Sequence, residues 1–354
     1  MVDEPTPDDG EPYDSPPRVA VFDTANADSR DGGSAPPDGA AATADGGVAT
    51  GGATTDGATT AGATTAAITT AGQRGPAAAA VPSPLAELPP GTAFGTLVHA
   101  VLEVTDLTAP DLTAELTARC AEQLIHNPLP GVAAEALAEA LAPVARTPLG
   151  PLADDLRLVD IAPVDRLAEL EFELPLSGGD QPCRTTALLG EIAPLLRAHL
   201  PADDPLACYP DLLADPALAD QPLRGYLTGS IDAVLRLPGP RFAVVDYKTN
   251  WLGPSGEPLT SAHYAPERLA AAMADAHYPL QALLYGVALH RYLRWRMPDY
   301  DPERHLGGTL YLFVRGMCGP ATPVVDGAPC GVFGWAPPPA LTVALSGLLH
   351  GGEA

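Results

Sequence analysis

One lysine occurs in the 354 residues, Lys248, against eighteen arginines. Lys248 follows Tyr247, so the chain holds no G-x-x-x-x-G-K-[ST] phosphate loop, and an ATP-driven motor of that type is excluded. Positive charge is scarce altogether: 19 Lys and Arg face 44 Asp and Glu, for a formal net charge of −25. With no broad basic field, a nucleic acid would have to meet a local cluster of charge or be delivered by another protein. The five cysteines (Cys120, Cys183, Cys208, Cys318 and Cys330) are scattered, show no C-x-x-C and no zinc spacing, and read as reduced thiols. No run of about 18 apolar residues is present, so no membrane span is expected. The opening MVDEPTPDDG is acidic and without an apolar stretch, which argues against a signal peptide and for a cytoplasmic protein.

Large apolar residues are almost missing from residues 1–86, which consist mainly of Asp, Gly, Pro, Ala and Thr and include the near-repeat GATTDGATTAGATTAAITTAG. Such a segment cannot bury enough apolar surface to offset chain entropy. It reads as a disordered, acidic tail or linker, and 87–354 reads as one domain able to build a sizeable core.

Within that domain, Gly225 to Gly253 reads GYLTGSIDAVLRLPGPRFAVVDYKTNWLG. Two β-like runs, Tyr226 to Leu237 and Arg241 to Lys248, flank a Pro-Gly-Pro turn and predict an antiparallel hairpin. Strand side chains alternate with period two, so Asp246 and Lys248 share a face, and Asp232 on the neighbouring strand can meet them. Two carboxylates and an ammonium held by a buried sheet are costly unless paired. A divalent cation with a taste for oxygen ligands, Mg²⁺ or Mn²⁺, would resolve that cost. A surface ion pair at a strand end explains the pattern less well, because arginine would serve there at least as well as lysine. The lone lysine marks a place that needs a compact ammonium.

Other segments supply candidates and scaffold. A helix is expected from Thr92 to Val104, with Phe94, Leu97, Val98, Val101 and Leu102 inward. His99 and Glu103 lie one turn apart on it, though a lone histidine on a helix is more often structural than a ligand. Helices near 111–126 and 131–144 carry no chemical cluster. The run 168–175, AELEFELP, alternates strictly and predicts a strand with Leu170, Phe172 and Leu174 inward and Glu169, Glu171 and Glu173 on the other face. A helix over 262–276 leads into another over 278–297, where Gln281 and Tyr285 stand at i,i+4. Arg291, Arg294 and Arg296 follow on that helix, as a solvated face or as phosphate contacts. A buried strand over 308–315 and a closing helix over 336–350 complete the pattern.

Asp232 and Asp246-x-Lys248 followed by NWLG resemble the core of the PD-(D/E)xK nucleases. GTAFGTLVHAVLE around His99, HYPLQALLYGVALHRYLRWRMPDYD with its Q-x-x-x-Y, and HLGGTLYLFVRGM at 305–317 narrow the match. Over about 88–350 the chain is similar to the C-terminal nuclease domain of the RecB type, the helicase–nuclease subunit of RecBCD, here without its motor. The resemblance implies an α/β fold: a restriction-endonuclease-like core with a central mixed β-sheet flanked by helices. It implies a Mg²⁺-dependent (or Mn²⁺-dependent) deoxyribonuclease of DNA end processing and recombinational repair. His99, Asp232, Asp246 and the backbone carbonyl of Tyr247 would hold the metal, and Lys248 would position or help deprotonate the attacking water. Gln281 and Tyr285 would support the site or contact DNA, and Glu171 would assist. The implied partners are single- or double-stranded DNA ends, RecC- or RecD-like subunits, a separate helicase motor or a recombinase. The cysteines lack the close spacing with which some related nucleases hold an iron–sulfur cluster. Two rival readings remain: a non-catalytic docking module, which the acidic charge fits, and a restriction- or junction-type nuclease on the same core. The intact His99, Asp232, Asp246 and Lys248 set argues against the first, and the GTLVH and NWLG matches against the second.

Overall fold

A computed structural model of the chain describes residues 18–20, 80–177 and 187–351. The tail expected over 1–86 lies outside the described residues except at 18–20 and 80–86. Leu85 is fully buried in the core, so packing begins ahead of residue 87.

The central sheet has six strands: β1 (Arg18–Ala20), β2 (Arg166–Pro175), β3 (Tyr226–Leu237), β4 (Arg241–Lys248), β5 (Leu306–Phe313) and β6 (Val332–Trp335). Their order is β1-β3-β4-β5-β6, with β2 also paired along β3. β2 with β3, β3 with β4, and β5 with β6 are antiparallel, whereas β4 with β5 is parallel. The sheet is mixed, as the resemblance implies. A parallel pair needs a long crossover. Here it contains the helix Pro266–Asp275 and the long helix Tyr278–Arg296. The shorter helix starts later than the expected 262, because Ser261–Tyr264 forms a single tight turn and Pro266 takes the first helical position, where its missing N–H costs nothing.

Three helices cover one face of the sheet: α1 (Thr92–Val104), α2 (Leu112–His126) and α3 (Ala134–Ala145). Leu97, Val101, Leu116 and Leu141 from them pack on Ala243, Val245 and Tyr247 of β4 and on Leu310 and Leu312 of β5. The other face carries α4 (Ile192–His199), α5 (Pro266–Asp275), α6 (Tyr278–Arg296) and α7 (Pro339–Leu349). There Leu280, Val287 and Leu345 meet Val244, Tyr311 and Phe313. Both faces being covered, the central strands read as continuous apolar runs rather than as half-polar alternation. Among the described residues, no helix is long and apolar enough to cross a membrane.

Two irregularities prepare the site. β3 and β4 pair only from Leu237↔Arg241 to Ala233↔Val245 and then part, so Asp232 and Asp246 stand at the opening between them. On the other side of β3, the register passes from Ala168↔Ala233 to Leu170↔Ile231, stepping over Glu169 and Asp232. Glu169 has φ 48°, a left-handed conformation that non-glycine residues adopt rarely and at a cost. Ala233 accordingly faces the core of α1–α3, while Ile231 faces the opposite one. Strict alternation fails at the residue that carries the carboxylate.

Candidate active site

Asp246 and Lys248 point from the end of β4 towards α6, as period two requires. Asp246 is fully buried and Lys248 is 4% exposed. Their charges meet at 2.7 Å between Nζ and Oδ2. Apart from that ion pair, neither Asp246 oxygen has a hydrogen-bond partner. Burial pushes the Asp246 carboxyl up to about 6, with Lys248 opposing the shift and Asp232 adding to it.

A polar and aromatic box holds the ammonium. Lys248 Nζ donates to Gln281 Oε1 at 3.1 Å. The same oxygen accepts from the Tyr311 hydroxyl at 3.0 Å, and Gln281 Nε2 donates to the Tyr285 hydroxyl at 3.0 Å. The Tyr278 ring lies 4.1 Å from Nζ and the Tyr311 ring 5.3 Å, both within cation–π range. Parallel register sets Tyr311 beside Asp246, which places its side chain on the same face. The structure thus brings Gln281 to the Lys248 ammonium, with Tyr285 behind it. Tyr278 and Tyr311 were missed; the available signal was a polar aromatic at the start of a helix and another inside a buried strand, each among apolar neighbours.

Asp232 bridges the opening between the strands. The backbone N–H of Tyr247 donates to its Oδ2 at 2.7 Å, and His99 Nδ1 lies 3.2 Å from Oδ1. Burial would raise the carboxyl, but the His99 charge and the Tyr247 amide outweigh it and hold Asp232 below its ordinary range. Burial would likewise lower His99; the Asp232 carboxylate overcomes it and keeps the imidazole above its usual value. α1 belongs to the other layer, and its histidine reaches the site through the gap where β3 and β4 part. The Tyr247 side chain points into the α1–α3 core, where its ring packs edge-on against His99 with centroids 6.1 Å apart.

Beyond Asp232, Glu103 and Glu169 approach each other. Partial burial raises Glu103, as do a hydrogen bond to Glu169 and the charges of Glu169 and Asp232. The resemblance singled out Glu171; Glu169, two residues earlier and equally exposed, has the irregular backbone and is the one that approaches Glu103. Of the arginines on α6, Arg291 is committed to the scaffold. It donates to Ser346 Oγ at 3.0 Å, to the Ser346 carbonyl at 2.9 Å and to the Pro175 carbonyl at 3.0 Å. Arg294 and Arg296 are exposed.

As placed, no three His, Cys, Asp or Glu side chains among the described residues converge on one point. His99 is turned to Asp232 and Asp246 to Lys248, so the donors are held in pairs. The donor set nevertheless fits a divalent cation, since one imidazole and two carboxylates face a gap and the Asp246 oxygens lack directed donors.

A sheet that parts above two aspartates, with a lysine two residues beyond the second, defines a nuclease-superfamily core. Residues 74–326 match the PD-(D/E)XK nuclease superfamily, and the chain belongs to it. It is 58% identical over 271 residues to the RecBCD enzyme subunit RecB of Mycolicibacterium smegmatis and 57% identical over 284 residues to that of Mycobacterium tuberculosis. It is 34% identical over 231 residues to the RecBCD enzyme subunit RecB of Escherichia coli. These alignments take in 77%, 78% and 65% of this chain but only 25%, 25% and 17% of the relatives. The chain thus spans about a quarter of the length of its mycobacterial relatives.

Proposed function

We propose that the chain hydrolyses DNA phosphodiester bonds with the help of a divalent cation, Mg²⁺ or Mn²⁺, and serves DNA end processing in recombinational repair. The observation that carries this reading is Asp246: a fully buried carboxylate with no directed donor, ion-paired to the chain's one lysine. His99, Asp232, Asp246 and the Tyr247 carbonyl would hold the cation, which supplies charge to the scissile phosphate and acidity to a bound water. To accept it, His99 would turn from Asp232, and Asp246 would share its charge between cation and ammonium. Lys248 would hold the attacking water in line and offset charge that builds on the phosphate oxygens. Gln281, with Tyr311 and Tyr285 behind it, would fix the direction of that ammonium. No base-reading element is present among these groups, so sequence preference would be weak.

The test is degradation of single- and double-stranded DNA ends with Mg²⁺ or Mn²⁺, wild type beside Asp246→Ala and Lys248→Ala. Loss of cleavage in folded variants supports the assignment; unchanged cleavage in Asp246→Ala sinks it. A second reading, a subunit that needs RecC- or RecD-like partners or a separate motor, is favoured by the net charge of −25 and by the quarter-length match to RecB. A wild type inactive alone but active with such a partner would select it. Inactivity in both settings would leave a docking module.

A further inference from the structure

Arg315 follows β5 and is fully buried. Its guanidinium reaches two chain segments far apart in sequence. Nε donates to the Thr249 carbonyl at 2.8 Å, one residue past Lys248. Nη1 donates to the carbonyls of Leu85 at 2.6 Å and Leu88 at 3.1 Å, and Nη2 to that of Pro89 at 2.5 Å. The charged plane lies between the Phe94 ring at 4.8 Å and the Trp251 ring at 5.3 Å. A buried cation is costly unless its donors are satisfied, and a rigid fork with five N–H groups meets several carbonyls at once where an ammonium cannot.

The two segments it joins are the two halves of the candidate site. Leu85 to Pro89 leads into Gly91 and α1, which carries His99; Thr249 continues β4, which carries Asp246 and Lys248. A second contact sets the same spacing. A Cβ on Gly95, one turn before His99, would come within 3.1 Å of Thr249 Oγ1, so helix and strand end are already in tight contact there.

We infer that Arg315 is a positioning residue of the proposed metal site, fixing the distance between the helix that carries His99 and the strand end that carries Asp246 and Lys248. This rests on the metal-site reading. Mn²⁺ binding to the whole protein, followed by the EPR signal of free Mn²⁺, tests it beside cleavage and thermal unfolding. Arg315→Lys keeps the charge and loses the fork. It should weaken Mn²⁺ by roughly 10- to 100-fold, the usual effect of removing a group that orients metal ligands from behind. The Mn²⁺ concentration that half-saturates cleavage should rise in step. A merely structural arginine would lower the unfolding midpoint and leave Mn²⁺ affinity of the folded protein unchanged, which would overturn the inference. Should Arg315→Lys not fold, Gly95→Ala decides: it should weaken Mn²⁺ several-fold, and adding Thr249→Ala should return the room and the affinity. Wild-type Mn²⁺ affinity in Gly95→Ala overturns the inference in that case. If the wild-type protein neither binds Mn²⁺ nor cleaves, the proposed function fails with it; if it does both and the variants match it, only this inference fails.

Discussion

The ammonium of Lys248 sits over the ring of Tyr278, 4.1 Å from its centre, while pairing with Asp246 Oδ2 at 2.7 Å. A charge so placed is held by an aromatic face, an amide oxygen and a carboxylate.

That fit predicts that arginine cannot replace the one lysine. A planar guanidinium is wider than an ammonium and would collide with the Tyr278 and Tyr311 rings or push Gln281 aside. Lys248→Arg should lower single-turnover cleavage of a labelled oligonucleotide by about 100-fold or more, as severe as Lys248→Ala. Near-wild-type cleavage in Lys248→Arg would show that a positive charge alone suffices.

Gln281 joins Lys248, Tyr311 and Tyr285, and its loss should exceed that of the Tyr285 hydroxyl behind it. Gln281→Leu removes the oxygen that accepts from both Lys248 and Tyr311. Leaving buried donors unmatched costs about 1–3 kcal/mol, and cleavage should fall by roughly an order of magnitude, or about 1.4 kcal/mol in the barrier. Tyr285→Phe deletes only the hydroxyl that accepts from Gln281 Nε2, and should cost less on both scales. Chemical denaturation and kcat measured on the same preparations check the order; a larger effect in Tyr285→Phe would contradict it.

Metal binding should depend on pH through Asp246. Its carboxyl is raised to about 6, so protons compete with a cation for the same oxygens over a range where an ordinary aspartate is already ionised. Affinity should therefore weaken as pH falls from about 7 to 5. His99, held above its ordinary value by Asp232, pushes in the same direction, because only the neutral ring binds metal. Mn²⁺ titrations at several pH values check the slope. A pH-independent affinity across this range would contradict the burial of Asp246 as its cause.

Glu169 and Glu171 should separate sharply. Both are exposed, but Glu169 approaches Glu103 near Asp232 and helps raise the Glu103 carboxyl. Glu169→Gln should change the pH profile of cleavage, and Glu171→Gln should leave it as in the wild type. Equal effects would place the strand in another register.

Arg291 should act on stability alone. Its three hydrogen bonds tie α6 to α7 and to the end of β2. Arg291→Ala should reduce unfolding free energy by about 1–3 kcal/mol and leave the salt dependence of DNA binding unchanged. A reduced salt slope would instead make Arg291 a phosphate contact.

Much of the site was legible because short-range rules carry it. Alternation along β4 puts Asp246 and Lys248 together, and helical spacing puts Gln281 over Tyr285; both hold in the structure. Asp232 was found for an incomplete reason, since its place depends on a break in alternation that β2 imposes through the left-handed Glu169. Tyr278 and Tyr311 escaped notice because they come together from α6 and β5 over a long sequence distance, Tyr311 set beside Asp246 by the parallel register of β5 on β4, and a polar aromatic among apolar neighbours is only a faint local mark of that. Arg315 escaped because a buried arginine inside LYLFVRG looks like any charge at a strand end. Its partners are main-chain oxygens, which leave no mark in a sequence.

The hairpin turn between Leu237 and Arg241 has a consequence of its own. Since the two strands hold register only over the five pairs next to that turn, the length of the turn sets which residue of one strand faces which residue of the other at the open end. The hairpin is a ruler. Loops elsewhere in this domain can lengthen and shift only themselves, but one residue added among Pro238, Gly239 and Pro240 would slide β4 by a step and turn both of its charged side chains to the opposite layer. The shortest connection in the sheet is thus the one whose length the chemistry cannot spare.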